Sequence, residues 1–189
     1  ADAERMQFVQ AKIERQEAEK SAERLNFLAQ ASAVLSSSLD LESTLTSLTK
    51  LIVPTMADWC SVLLLQPDGS LKQLAVAHAN PENVKRILEI QKANPAERNA
   101  GAAQVVKTGQ PQFLVSIEDS LGAIAARNPE YARTLESFGF QSYICAPIRR
   151  RGEVIGALAL MTSKESDRRF NEADLHLVED LCSRAGIAV

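Results

Sequence analysis

The sequence has few of the residues that most often form metal centres or covalent cross-links. Its 189 residues include three cysteines and two histidines, and no two cysteines form a Cys-x-x-Cys pair. A zinc site needs roughly four such ligands held together, so we expect no metal site. Cys60, Cys145 and Cys182 each lie in an apolar segment. This placement predicts buried free thiols in a reducing compartment, and therefore a cytoplasmic domain.

The sequence also lacks long apolar runs and a surplus of basic residues. The longest apolar run, Val154 to Met161, is far shorter than the roughly 20 residues that span a bilayer. The net charge is −3, whereas domains that bind nucleic acid usually present a basic surface. No Gly-rich phosphate-binding loop is present. We therefore expect no membrane segment within this chain and no nucleic-acid partner.

Helical sequence lies at both ends of the chain. Residues 1–20 are rich in Glu, Lys, Gln and Ala, and Met6, Val9 and Ile13 have the 3,4 spacing of a coiled-coil seam. We interpret residues 1–20 as a linker or signalling helix and residues 21–189 as one domain. The last helix is still amphipathic at Val189, which predicts a module from a longer protein with an effector domain beyond this residue.

The two terminal helices each carry a further apolar series that predicts a helical interface. We expect a homodimer through these helices, because a seam at heptad spacing can pack against a second copy. In this interpretation one face of each helix serves the domain core and the other faces the partner. The residues assigned to the dimer and to signalling are Leu25, Leu28, Leu35, Leu175, Val178, Cys182 and Ala185, with Val189 continuing the series.

Between the helices, turn and capping residues predict a β-rich domain. Pro67-Asp68-Gly69 separates two apolar segments in a first hairpin, and Arg149 to Gly152 is predicted as the tip of a second. Asp40, Asn80 and Asn128 have the features of helix N-caps. Asn171, with Asp174 three residues later, forms a variant of the capping box that predicts the start of the last helix.

The strands are apolar on both faces, which predicts cover on both sides of the sheet. One cover consists of loops and short helices, which pack less completely, so a cavity and a dry core are both compatible with the pattern. The small residues Ala157 and Ala159 favour open volume. His78, at the end of a strand, is either a contact at the pocket rim or a polar strand end. The candidate ligand-binding residues are Trp59, Ser61, Leu63, His78, Phe113, Tyr143, Ala157, Ala159 and Met161.

The order of these elements resembles the GAF domain family of sensory modules. The resemblance covers about residues 21–189 and rests on four segments: 105–111, 142–148 with Gly152, 154–158 and 170–174. It implies an α+β, PAS-related fold with a central antiparallel sheet of about six strands. Terminal helices would cover one face, and short helices and loops the ligand face. The segments 39–40 and 57–60 are most similar to GAF modules of bacterial sensor histidine kinases and phosphatase regulators.

The resemblance also bears on cofactors. Lys164, Phe170 and Asp174 match the signature of members that bind cyclic nucleotides, but Ser163 and Leu175 replace its Asn and Glu. This departure argues against a cyclic nucleotide, and Lys164 is alternatively a simple ion-pair partner of Asp174. Bilin-binding members use a thiol beside a histidine in a loop, which this chain lacks. We therefore expect neither bilin nor haem.

Three functional hypotheses follow. The first is a non-catalytic sensory domain of a bacterial signalling protein, which binds a small molecule or a partner and relays the change through its terminal helices. The second is a ligand-free module for dimerisation and spacing. The third is an enzyme similar to the GAF-like methionine sulfoxide reductases, which requires accessible reactive thiols. The identity of any ligand stays open at this level.

Overall fold

The computed structural model describes residues 2–95, 97 and 99–188 of the chain. The helices are α1 (Asp2–Leu35), α2 (Leu41–Ile52), α3 (Pro81–Ala93), α4 (Ala100–Thr108), α5 (Glu118–Arg127), α6 (Pro129–Ser137) and α7 (Glu172–Ala188). The strands are β1 (Trp59–Leu65), β2 (Leu71–His78), β3 (Gln112–Leu114), β4 (Phe140–Arg150) and β5 (Glu153–Ser163). Helix α1 runs without a break through residues 20 and 21, where the sequence predicted a change from linker to domain.

Within the described residues, five strands form one sheet in the order β2-β1-β5-β4-β3, and every neighbouring pair is antiparallel. The α+β class and the central antiparallel sheet are confirmed, with five strands where about six were expected. Successive side chains of a strand point to opposite faces. Cys60 and Val62 therefore face one side, the helix face, and Trp59, Ser61 and Leu63 face the other, the cavity face.

The second hairpin turns at a different place from the one predicted. Arg151 and Gly152 both have positive φ angles, 52° and 84°, as a two-residue type I′ turn requires. Strand β4 continues through Arg149 and Arg150, and Arg150 pairs with Glu153. Only Arg151 and Gly152 therefore form the tip, and Arg149 is a strand residue with its own structural contacts.

Helices α1, α2 and α7 cover the helix face and form the main core. The N-cap predicted at Asp40 is confirmed, because its carboxylate accepts a hydrogen bond from the Ser43 backbone N–H at 2.9 Å. From this start, α2 presents Leu45, Leu48 and Ile52, all fully buried, to the sheet. Their i, i+3, i+7 spacing places them on one side of the helix, so α2 is held by its apolar face.

The predicted capping box at the start of α7 is also confirmed. The Asn171 backbone N–H donates to the Asp174 carboxylate at 2.8 Å, and the Asp174 N–H donates to the Asn171 side chain at 3.0 Å. The Asp174 carboxylate thus serves the cap, and the suggested Lys164–Asp174 pair is wrong. Lys164 instead lies 3.5 Å from the Glu118 carboxylate, in an exposed pair.

A close backbone contact fixes the end of α7 on the sheet. A Cβ atom at Gly186 would lie 1.9 Å from the Arg149 carbonyl oxygen, so only glycine permits this approach. The Arg149 guanidinium donates to the Gly109 carbonyl oxygen at 2.6 Å, at the C-terminal end of α4. Arg149 therefore contacts α7 through its backbone and α4 through its side chain.

Helix α1 lies beside α7 and continues well past the domain. Phe27 and Phe170 line the same cleft, near the start of α7. Ser32 accepts a hydrogen bond from Arg184, near the end of α7. The two helices therefore run in the same direction. Residues 2–23 are all exposed, a length of roughly 30 Å at the rise of an α-helix. The chain thus enters from one end of the domain, and α7 points toward the other.

Helices α3 to α6 lie over the cavity face, and we call this layer the cover. Asn80 and Asn128 cap α3 and α6 as predicted, each followed by proline in the first turn. Helix α5 had not been predicted. It is described over its full length and buries none of its residues, and its apolar residues Leu121 and Ile124 face the cavity. Among the described helices, none is long and apolar enough to cross a membrane.

We predict that Gly186→Ala destabilises the domain by about 1–3 kcal/mol or more, because its Cβ meets backbone that cannot move aside. Gly122→Ala is the matched control, since no described atom lies within 4 Å of its Cβ position in α5. Replacing a helical glycine should raise stability there by about 0.5–1 kcal/mol. Urea unfolding of the three proteins measures both effects. Equal stability of Gly186→Ala and the unchanged chain would contradict the contact.

Candidate functional site

A cavity of about 550 Å³ lies between the cavity face of the sheet and the cover. This volume is within the range of roughly 300–1,000 Å³ that small-molecule pockets occupy. The sheet forms its floor, and side chains from α3, α5 and α6 form most of its roof. Of the two alternatives that the sequence left open, the structure has open volume rather than a filled core on this face.

Seven of the nine candidate ligand-binding residues line the cavity, and two do not. Ala157 packs with Cys145 and Val105 beneath α4, at the side of the open volume. His78 lies behind the aromatic rings of the floor. The seven lining residues are Trp59, Ser61, Leu63, Phe113, Tyr143, Ala159 and Met161.

His78 stands in an aromatic row rather than in the cavity wall. Its ring centroid lies 6.3 Å from that of Trp59 and 6.4 Å from that of Phe140, and both of these residues line the cavity. Its Nδ1 accepts a hydrogen bond from the Asn80 backbone N–H at 2.8 Å, whereas Nε2 is buried with no partner among the described residues. Burial lowers the pKa of His78 more than the charge of Asp58 raises it. The imidazole is therefore held in its neutral form.

An ion pair lies at one side of the cavity. The Arg127 Nε lies 3.3 Å from Glu97 Oε1, and its Nη2 lies 3.1 Å from Oε2, so the contact is bidentate. The Glu97 side chain is only 12% exposed, whereas that of Arg127 is 57% exposed. Glu97 is therefore the more buried member of the pair and Arg127 the more exposed one, and each charge is balanced by the other. The adjacent Asn128–Asn94 side-chain bond of 2.9 Å ties the α5–α6 junction to the end of α3.

Two tyrosines contribute neutral hydroxyl groups to the lining. Burial, together with the nearby charge of Glu97, raises the pKa of Tyr131, and burial raises the pKa of Tyr143. The Tyr143 hydroxyl fits closely under α4, because a Cβ atom at Gly101 would lie 2.6 Å from its oxygen. Both phenols stay protonated at neutral pH, so they offer hydrogen bonds without charge.

Gln91 adds a polar group that is not satisfied within the protein. It lies on α3 and lines the cavity, and its side-chain Oε1 is buried with no hydrogen-bond partner among the described residues. Buried acceptors in folded proteins nearly always have a partner, since an unpaired one costs free energy. This oxygen is therefore an unsatisfied acceptor in the wall of the cavity, covered by neighbouring atoms.

Neither a metal cluster nor an activated thiol is seen in the part of the chain that the structure describes. No group of three or more His, Cys, Asp or Glu residues there could hold a metal ion. All three cysteines are buried and unpaired. Burial raises the pKa of Cys145 to about 11 and also raises the pKa of Cys60 and of Cys182. The protonated thiol is a poor nucleophile.

The residues assigned to a helical interface fall into two groups. Val178, Cys182 and Ala185 are buried in the main core, as are Leu28 and Leu35, and Leu175 packs against that core. The expectation that they form an exposed seam is wrong, because the sheet of the same chain covers those of α7, and α2 and α7 cover those of α1. Leu25 is 68% exposed and available to a partner. Val189, the last residue of the series, lies outside the described residues.

Sequence reasoning missed the ion pair and the glutamine of the lining. Glu97 and Arg127 are 30 residues apart and meet only because α5 folds back over the end of α3. Gln91 occupies an ordinary polar position on an amphipathic helix. Tyr131 was visible in the sequence as an apolar-face residue of α6, and it proves to face the cavity.

The fold and the cavity together define an α+β domain built around a ligand-sized internal space. The family model described as "GAF domain" matches residues 40–189, and the chain therefore belongs to the GAF family. GAF domains are sensory and regulatory modules of signalling proteins, and the resemblance found in the sequence is confirmed. No curated protein matches the chain in sequence.

Solved structures share this fold at low sequence identity. The GAF domain of an Acinetobacter phosphoenolpyruvate-protein phosphotransferase is 19% identical, with 87% of this chain and 90% of that chain covered and a TM-score of 0.60. A methyl-accepting chemotaxis protein fragment is 17% identical, with coverage of 84% and 93% and a TM-score of 0.58. A free methionine-R-sulfoxide reductase from Neisseria meningitidis, solved with its substrate, is 15% identical, with coverage of 89% and 89% and a TM-score of 0.62.

We predict that His78 makes stability depend on pH. Its folded pKa lies below the unfolded value of about 6.5, so the unfolded chain binds more protons and stability falls as pH falls through this value. His78→Asn keeps an acceptor for the Asn80 N–H but does not titrate. Between about pH 7.5 and pH 5.5, the unchanged chain should therefore lose more unfolding free energy than the variant, as urea titrations measure. Equal loss of unfolding free energy with falling pH in both proteins would contradict a role of His78 in the pH dependence.

Proposed function

We propose that this domain is a non-catalytic sensor that binds a small molecule in the cavity and relays the change through its terminal helices in a homodimer. The observation that carries the proposal is the cavity itself, a ligand-sized space whose roof is made of short helices. The parent protein would be a cytoplasmic bacterial signalling protein, such as a sensor histidine kinase of a two-component system. The subfamily resemblance of segments 39–40 and 57–60 supports this choice.

The cover has the properties of a movable layer. Helix α5 lines the cavity through Leu121 and Ile124 but buries none of its residues. Regions with few buried apolar contacts open locally at low free-energy cost. A ligand that packs against α5 would supply the apolar contacts that this helix lacks, so its binding would favour one position of the cover over another.

Arg149 connects the cover to α7, because it contacts both α4 and α7. Its guanidinium bonds the Gly109 carbonyl oxygen, at the end of the helix that carries the cavity residues Ala100 to Ala102. Its own carbonyl lies against Gly186 of α7. A displacement of α4 therefore acts on the same residue that holds the terminal helix on the sheet.

The buried thiols support a non-catalytic role. Reductases that act through cysteine need a thiolate that the substrate can reach. Here Cys60, Cys145 and Cys182 are all buried, and burial raises the pKa of each. The likeness to a methionine sulfoxide reductase is a likeness of fold, and the buried thiols of this chain favour the non-catalytic role.

The projecting part of α1 supports a parallel dimer. Met6, Val9 and Ile13 are 74%, 50% and 43% exposed and lie at the inner positions of a heptad. With Met6 and Ile13 at position a, Lys12 and Glu19 fall at position g, and Glu17 and Arg24 at position e. A parallel pairing sets each g residue beside the e residue five places on in the second copy. Both resulting pairs, Lys12 with Glu17 and Glu19 with Arg24, are of opposite charge.

Native mass spectrometry of the full 189-residue chain tests the sensing function. We expect a dimer with a bound small molecule, which denaturation of the same sample releases for identification. Leu121→Trp is the matched variant, because it fills the cavity from α5 without changing the sheet, and it should lose the added mass. A dimer without bound mass, whose stability is unchanged across a screen of metabolites, would instead favour the ligand-free spacer.

Substitutions in the exposed part of α1 test the dimer separately. Ile13→Asp should give a monomer in analytical ultracentrifugation, since it places a carboxylate in the seam. Phe8→Ser is the control, because Phe8 is 72% exposed on another side of the helix, and it should remain dimeric.

A charge exchange tests the direction of the pairing. Lys12→Glu should weaken the dimer, and adding Glu17→Lys should restore it. If all of these variants remain dimeric to the same extent as the unchanged chain, α1 is not the dimer interface. The buried Val178 is unsuitable for such a test, because a charge there would disrupt the core.

A further inference from the structure

We infer that the cavity takes an uncharged, ring-containing molecule that presents a hydrogen-bond donor to Gln91. This inference rests on the proposed function, in which the cavity binds a small molecule, and it adds the chemical class. Three properties of the lining lead to it: its aromatic surface, the internal pairing of its charges and the unpartnered oxygen of Gln91.

The lining favours a flat or ring-containing apolar body. Most of the lining side chains are apolar, and six of them are aromatic. Aromatic rings pack well against other rings in offset-stacked or edge-to-face arrangements. Their placement on both the floor and the roof would enclose a planar molecule from two sides. The six are Trp59, Phe113, Tyr131, Phe138, Phe140 and Tyr143.

The charges of the lining are already balanced. Glu97 and Arg127 are the charged residues among the described residues that line the cavity, and each Glu97 oxygen already faces one guanidinium nitrogen. A charged ligand would either break this bidentate pair or enter an apolar space without a counter-ion, and both are unfavourable. The two lining tyrosines stay neutral, as described above, so they add no charge. A neutral molecule avoids both penalties.

Gln91 selects for a donor. Its Oε1 is buried and lacks a partner among the described residues, so the empty cavity leaves this acceptor unsatisfied. A turn of the amide toward the cavity would let an N–H or O–H group of the ligand satisfy it, whereas an apolar group would leave the oxygen unpaired. The loss of a hydrogen bond to a buried acceptor commonly changes affinity about tenfold.

A series of three probes tests the class by calorimetry on the full chain. Indole has a neutral ring and an N–H donor, 1-methylindole has nearly the same shape without the donor, and indole-3-carboxylate adds a negative charge. We expect indole to bind about tenfold more tightly than 1-methylindole, with indole-3-carboxylate the weakest. Gln91→Leu should bring the ratio of the first two close to one and leave the affinity for 1-methylindole nearly unchanged.

The outcomes separate this inference from the proposed function. The chemical class is overturned if indole-3-carboxylate binds more tightly than indole. It is also overturned if indole and 1-methylindole bind equally to the unchanged chain. Either result would still show a binding cavity. If none of the probes binds, the molecule released in native mass spectrometry tests the class instead. A charged or ringless compound overturns the class, and a neutral ring with a donor supports it. Failure of the proposed function itself would appear as a chain that neither carries bound mass nor binds any probe, which also overturns the inference.

Discussion

The structure depends on one constraint, which is that its central strands are apolar on both faces and therefore need cover on both. Alternate residues of β1 and β5 enter two different cores, as Cys60 and Leu160 do on one side and Leu63 and Ala159 on the other. Helices α1, α2 and α7 form the main core on the first side. The short helices of the cover bridge the second side without filling it, and the cavity is the space that they leave.

Much of the fold was predictable because its signals are local. The caps at Asp40, Asn80 and Asn171 depend on residues within a few positions of each other, and the structure has all of them. Helix α5 was missed because it has no start signal, since Ile117 at its N-cap position makes no side-chain cap. The Glu97–Arg127 pair was out of reach of the sequence for another reason, since it is created only by tertiary folding.

The error over the terminal seam has a physical origin. A helix that packs on its own sheet repeats its apolar residues every three or four positions, and so does a helix that packs on a second chain. Val178 and Cys182 have this spacing and face the sheet, whereas Val9 and Ile13 have the same spacing and face solvent. The period alone therefore indicates that a face is apolar, and the surrounding residues decide what covers it.

The position of Arg149 sets a mechanical condition on the whole domain. Its carbonyl is pressed against Gly186, where even a methyl group would not fit, while its side chain holds the carbonyl of Gly109. The first contact is rigid and the second is a single hydrogen bond on a flexible side chain. In the proposed relay, a movement of α4 would therefore reach α7 through the flexible side chain of Arg149, which can absorb a small displacement. The size of the movement at α4, and not merely its presence, would then decide whether α7 responds.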